Sequence, residues 1–84
     1  MMIVLLSSVT TAGRMKRVLE SEGIQVRMIQ APKEISRGGC AHALWMKEEH
    51  RKAVSAAATR LHVNVRGYYR EARPGEASRY VRLE

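Results

Sequence analysis

Met2-Ile3-Val4-Leu5-Leu6 is an unbroken apolar run that stops at Ser7-Ser8. A short run with β-branched content and no alternation reads as a central strand covered on both faces. Thr10 or Thr11 is placed to cap a helix after it. In that helix Ala12, Met15, Val18 and Leu19 recur at spacings of three and four, with Arg14, Lys16, Arg17 and Glu20 largely between them. Gly23 is placed to end the helix in a left-handed conformation.

A second strand follows, in which Ile24, Val26 and Met28 alternate with Gln25 and Arg27. Pro32 ends it, because proline cannot donate to a ladder. Lys33 to Gly39 reads as a loop and residues 40–46 as a third strand. Lys47-Glu48-Glu49 opens a second helix, with acids where the helix dipole favours them. His50 or Ala53, Val54, Ala57 and Leu61 form its apolar stripe. Val63, Val65 and Tyr69 then alternate with Asn64, Arg66 and Tyr68 as a fourth strand.

The order is β-α-β-β-α-β, the split βαβ or ferredoxin-like arrangement of an α+β protein. It predicts a four-stranded antiparallel sheet with two helices on one face. Residues 1–70 are read as a single domain and 71–84 as a polar tail, mobile or partly covering the sheet through Tyr80 and Val81. Both faces of the central strands carry apolar groups, and an uncovered apolar face implies a partner. A homodimer through the sheet is the expectation.

Composition narrows the class. The chain has 84 residues with 45% apolar content, no Phe and one Trp. One modest core of aliphatic residues is all this length allows. The single cysteine excludes an intramolecular disulfide and fits a reducing, cytoplasmic setting. No apolar run approaches the ~20 residues of a membrane span, so no membrane partner is expected. The net charge of +7 permits binding to nucleic acid, anionic lipid or acidic protein. The fifteen Lys and Arg are spread along the chain rather than gathered in a block.

The stretch Pro32-Lys33-Glu34-Ile35-Ser36, then Cys40, then Ala43-Leu44 resembles a family of short bacterial proteins described as selenium/sulfur carrier-like. Gly23-Ile24 matches the family's first helix end. The likeness covers about residues 3–69. Lys33 stands where arginine is usual, and Ala41 where glycine usually follows the cysteine. The resemblance implies a thiol-based sulfur or selenium carrier, with Cys40 accepting the persulfide or selenide. Donor and acceptor proteins would be its partners.

The residues themselves give Cys40 two readings. As a reactive thiol it would be polarised by Lys33 and Arg37, with Gly38 and Gly39 turning their amides toward the anion. As a bland residue it is a small apolar group at the start of a strand. Ser36 either caps a turn or hydrogen-bonds the thiolate. His42, two residues beyond Cys40, shares its face on a strand with Cα atoms about 6–7 Å apart and could act as a base. Cys-x-His falls short of a zinc pattern, so neither metal nor cofactor is expected.

Trp45, Tyr68 and Tyr69 could stack bases, and Arg66, Arg70, Arg73, Arg79 and Arg82 could meet phosphates. The aromatic consensus of RNA-binding domains with this strand order is missing. Together with the resemblance, this points to a carrier or binding protein rather than a turnover enzyme. A non-catalytic dimeric regulatory or ligand-binding module is the alternative. Nucleic-acid binding is possible but not favoured.

Overall fold

Strand β1 (Met2–Leu6) is buried along its whole length and sits at the centre of the sheet. The computed structural model describes residues 1–36 and 42–83. After β1 come α1 (Val9–Ser21), β2 (Arg27–Gln30), a short α2 (Lys33–Ser36) and β3 (His42–Met46). A 3-10 turn (Glu48–His50) leads into α3 (Arg51–Leu61), and β4 (Gly67–Glu71) and β5 (Tyr80–Arg82) complete the chain. The sheet order is β2-β3-β1-β4-β5, and every neighbouring pair is antiparallel.

Alternation along β1 divides the interior into two layers. Met2, Val4 and Leu6 face a cluster with Ala12, Met15 and Leu19 of α1, Leu44 and Met46 of β3, and Val54 and Ala57 of α3. Ile3 and Leu5 face the other way, toward Ala31, Ile35 and Ala43, with Ile29, Trp45, Tyr69 and Tyr80 packed around them. The long helices thus share one face, as the periodicity implies.

Among the described residues, the expectation of four strands and two helices is corrected to five and three. Tyr80–Arg82 adds β5 to β4, pairing Tyr69 with Arg82, Arg70 with Val81 and Glu71 with Tyr80. The stretch expected as a loop from Lys33 begins as a helical turn instead. Its Ile35 is 8% exposed and plugs the second face. That face is therefore partly covered by the chain itself, which weakens the case for a homodimer. No helix among the described residues is long and apolar enough to cross a membrane.

Helix ends are set by local chemistry. Ser8, rather than Thr10 or Thr11, caps α1: its hydroxyl accepts from the Thr11 amide at 3.2 Å. At the other end Gly23 has φ +82°, its amide donates to Glu20, and the Ile24 amide reaches back to Leu19. This is the Schellman closure, which calls for a left-handed residue at that position. The end of α3 repeats it without glycine. His62 adopts φ 54° and ψ 45°, and the Val63 amide donates to Ala58 at 2.9 Å. A side chain in that region costs roughly 1–2 kcal/mol, less glycine's own entropy loss. His62→Gly is expected to raise stability by about 0.5–1 kcal/mol in urea unfolding. An unchanged or lowered midpoint would contradict it.

The β4–β5 connection is tied by one carboxylate. Arg70 donates to both Glu76 oxygens, at 2.8 and 3.1 Å, and the Arg73 amide donates to Glu76 at 2.6 Å. These donors hold the Glu76 carboxyl down from 4.5 to about 2, with the Arg70 hydrogen bond the largest cause. A depressed folded value means the stabilisation is fully present above the ordinary carboxylate pKa. It is lost as pH falls toward the folded value. A carboxyl-carbon NMR titration should therefore place Glu76 near 2, and Arg70→Gln should raise it part of the way, because the Arg73 amide still donates to it. A wild-type midpoint near 4.5 would show that the tie does not form.

Candidate functional site

The connection from β2 to β3 carries the candidate residues. Pro32 starts it by fixing the chain for one helical turn. Its carbonyl accepts from the Ile35 amide at 3.1 Å and from the Ser36 amide at 3.0 Å. Ala31 and Ile35 pin this turn to Ile3, Leu5 and Ala43. Lys33 and Glu34 point to solvent, and Glu34 pairs with Arg79 at 3.2 Å. Ser36 is only 5% exposed. The turn therefore delivers the chain from an anchored serine, with a cation exposed one turn earlier.

Arg37, Gly38, Gly39 and Cys40 lie outside the described residues, as does Ala41. The chain is described again at His42, the first residue of β3. His42 pairs with Leu6 on one side and Gln30 on the other. It has the parity of Leu44 and Met46, so its ring turns toward the face that carries α1 and α3. Its Nδ1 is buried and has no hydrogen-bond partner among the described residues. A buried, unpaired ring nitrogen is costly and calls for an explanation.

The sequence-predicted residues thus divide. Ser36 and His42 bracket the cysteine segment from structured elements. Lys33 stands on the exposed side of the α2 turn. Among the described residues no cluster of three or more His, Cys, Asp or Glu could hold a metal ion.

One feature escaped the sequence reading. A groove of about 410 Å³ runs over the second sheet face, lined by Ile3, Arg27, Ile29, Pro32, Trp45 and Tyr80 among others. Its residues come from five separate stretches of chain. Only cross-strand register unites them.

The site's setting, a cysteine segment between a Pro-initiated turn and β3, falls within the span matched by a known family. That match runs over residues 1–70 of 84, from β1 into β4. The chain belongs to the family described as "Putative Se/S carrier protein-like". No curated protein and no solved structure matches it. The family's span takes in Lys33, Ser36, Cys40 and His42 and stops before β5. The edge strand and the turn before it lie outside the matched span.

Proposed function

We propose that this protein carries sulfur or selenium on Cys40, shuttling it between a donor and an acceptor protein. One observation carries the reading: the chain's single cysteine lies inside the span that matches the carrier-like family. If a member of that family works through a thiol, this chain has only one to use. We assign the sheet to the ferredoxin-like class as well, with β5 as an added edge strand. Its first four strands follow the order β2-β3-β1-β4.

The transfer needs no external oxidant. The Cys40 thiolate attacks the outer sulfur of a donor persulfide. A new S–S bond forms to Cys40, the donor's own S–S bond breaks, and the donor leaves as a thiolate that takes up a proton. A nucleophile on the acceptor then attacks the outer sulfur and frees the Cys40 thiol. Selenium in place of the outer sulfur follows the same balance. In this scheme Lys33 and Arg37 favour the anion, Gly38 and Gly39 turn amides toward it, and Ser36 donates a hydrogen bond. His42 receives the thiol proton. A reduced thiol of this kind belongs in the cytoplasm.

The reading is tested by reactivity. Cys40 should alkylate faster near neutral pH than a cysteine in a short peptide. Its rate-against-pH midpoint should lie below the ~8.5 of a free thiol. Unfolding should slow it to the peptide's rate. A thiol that is sluggish when folded and speeds up on unfolding would be a sealed core residue, and the reading would fall.

A further inference from the structure

The sheet register assembles a row that no single strand displays. Arg27 on β2 pairs with Trp45 on β3, Trp45 with Ile3 on β1, Ile3 with Tyr69 on β4, and Tyr69 with Arg82 on β5. Ile3, Trp45 and Tyr69 belong to the face opposite the long helices. Neighbouring strands lie about 4.8 Å apart, so the row spans roughly 19 Å and separates Trp45 from Tyr69 by roughly 10 Å. Two arginines therefore bracket two aromatic rings on one side of the sheet.

The rings are presented for contact. Trp45, Tyr69 and Tyr80 are each partly exposed. Tyr69 lies across Gly67: a Cβ there would come within 2.7 Å of its ring. The missing side chain at Gly67 thus lets the tyrosine lie down along the strand. The Arg82 guanidinium stands 5.7 Å from the Tyr69 ring centre and uses donors on the Tyr69 hydroxyl and the Arg66 carbonyl. Arg27, at the other end, is exposed. The groove beside Trp45 and Tyr80 is shallow and continuous with this row.

We infer that this face binds single-stranded nucleic acid, with bases stacking on Trp45 and on the Arg82–Tyr69 pair and phosphates meeting Arg27 and Arg82. Stacking platforms edged by cations are how proteins hold single strands without reading their sequence. The net charge of +7 supplies the long-range attraction. Glu71 also lines the groove, beside Tyr80, and repels phosphate at that rim. The strand then runs along the Arg27–Arg82 row, away from Glu71. Charge alone did not favour nucleic acid, because the cations are scattered in sequence. The register is what places two of them at the ends of an aromatic row. Among the described residues, the groove's lining includes none of Lys33, Ser36 and His42.

The chain's only tryptophan reports on the surface directly. Intact protein is titrated at low salt with oligouridylate and, separately, oligothymidylate, following Trp45 emission. Saturable quenching that weakens as salt rises is expected with one or both oligomers, and their comparison tells whether the 2′-hydroxyl matters. Tyr69→Ala and the double change Arg27→Ala with Arg82→Ala should each weaken binding by about tenfold. Glu71→Gln should tighten it, and Arg14→Ala on α1 should leave it unchanged. Circular dichroism confirms that each variant is folded. Binding without Trp45 quenching, or an equal loss with Arg14→Ala, would reduce the effect to net charge and overturn the proposal. So would an absence of binding. Trp45 emission that changes on dilution without oligomer would show a second copy on this face instead.

Discussion

Leu44→Ala is expected to lower the unfolding free energy by about 2–5 kcal/mol. Leu44 is fully buried and occupies the middle of β3. It pairs with Val4 on β1 and Met28 on β2. Its side chain fills the layer between the sheet and helices α1 and α3, where Met15, Leu19 and Val54 are also fully buried. Truncation removes apolar contact and leaves a cavity that a sheet pinned on both sides collapses poorly. At roughly 0.05–0.15 kcal/mol per residue, a chain of this size has only about 4–13 kcal/mol in all. One substitution would thus take a large share. Urea unfolding against Val9→Ala, at a residue 52% exposed, gives the comparison. Val9→Ala should stay within about 0.5 kcal/mol of wild type. A Leu44→Ala loss below about 1 kcal/mol would mean that this layer is not tightly packed.

Cys40→Ser is expected to abolish sulfur loading entirely and leave the unfolding midpoint where it was. The chain contains no second thiol to take over. The stability readout separates this from the bland alternative. A cysteine serving as a core residue would, on replacement, leave a buried hydroxyl unpaired at about 1–3 kcal/mol. Loss of loading with unchanged stability therefore marks a functional thiol. His42→Gln should slow loading without abolishing it, since the ring handles a proton rather than the sulfur. If His42→Gln left the rate untouched, the buried Nδ1 would need another explanation.

Much of this architecture is legible in the chain, for reasons that differ by element. Met2–Leu6 reads as central because an apolar run without alternation must be covered twice. Ala12, Met15 and Leu19 betray the α1 face by spacing alone, and Gly23 marks its end through its positive φ. The elements that escape are short ones held by distant partners. Lys33–Ser36 is four residues long, too few to show a period, and its helical turn depends on Ile35 finding Ile3, Leu5 and Ala43. Tyr80–Arg82 is three residues long and becomes a strand only because β4 offers an open edge. The ladder of β4 also starts later than the alternation from Val63 implies. Its pairing with β1 begins at Gly67, and Val63 and Val65 pack against the core without joining it.

The candidate site divides along the same line. Residue identity singles out Lys33, Ser36 and His42, because cations, a hydroxyl and an imidazole near one cysteine are chemistry visible in sequence. Their relative exposure is not visible. Ser36 turns inward because the α2 turn is pinned by Ile35, and Lys33 stays in solvent. The Arg27–Arg82 row is further out of reach, since it exists only in the register of five strands.

The central claim is that Cys40 carries a chalcogen atom, and intact-protein mass spectrometry tests it most directly. The reduced protein is incubated with a cysteine-desulfurase-type persulfide donor and measured beside Cys40→Ser. The account predicts one added sulfur atom per wild-type chain, removed by a thiol reductant and absent from the variant. A wild-type chain that stays unmodified while the same donor loads an unrelated carrier thiol, or an adduct that persists in Cys40→Ser, would contradict it.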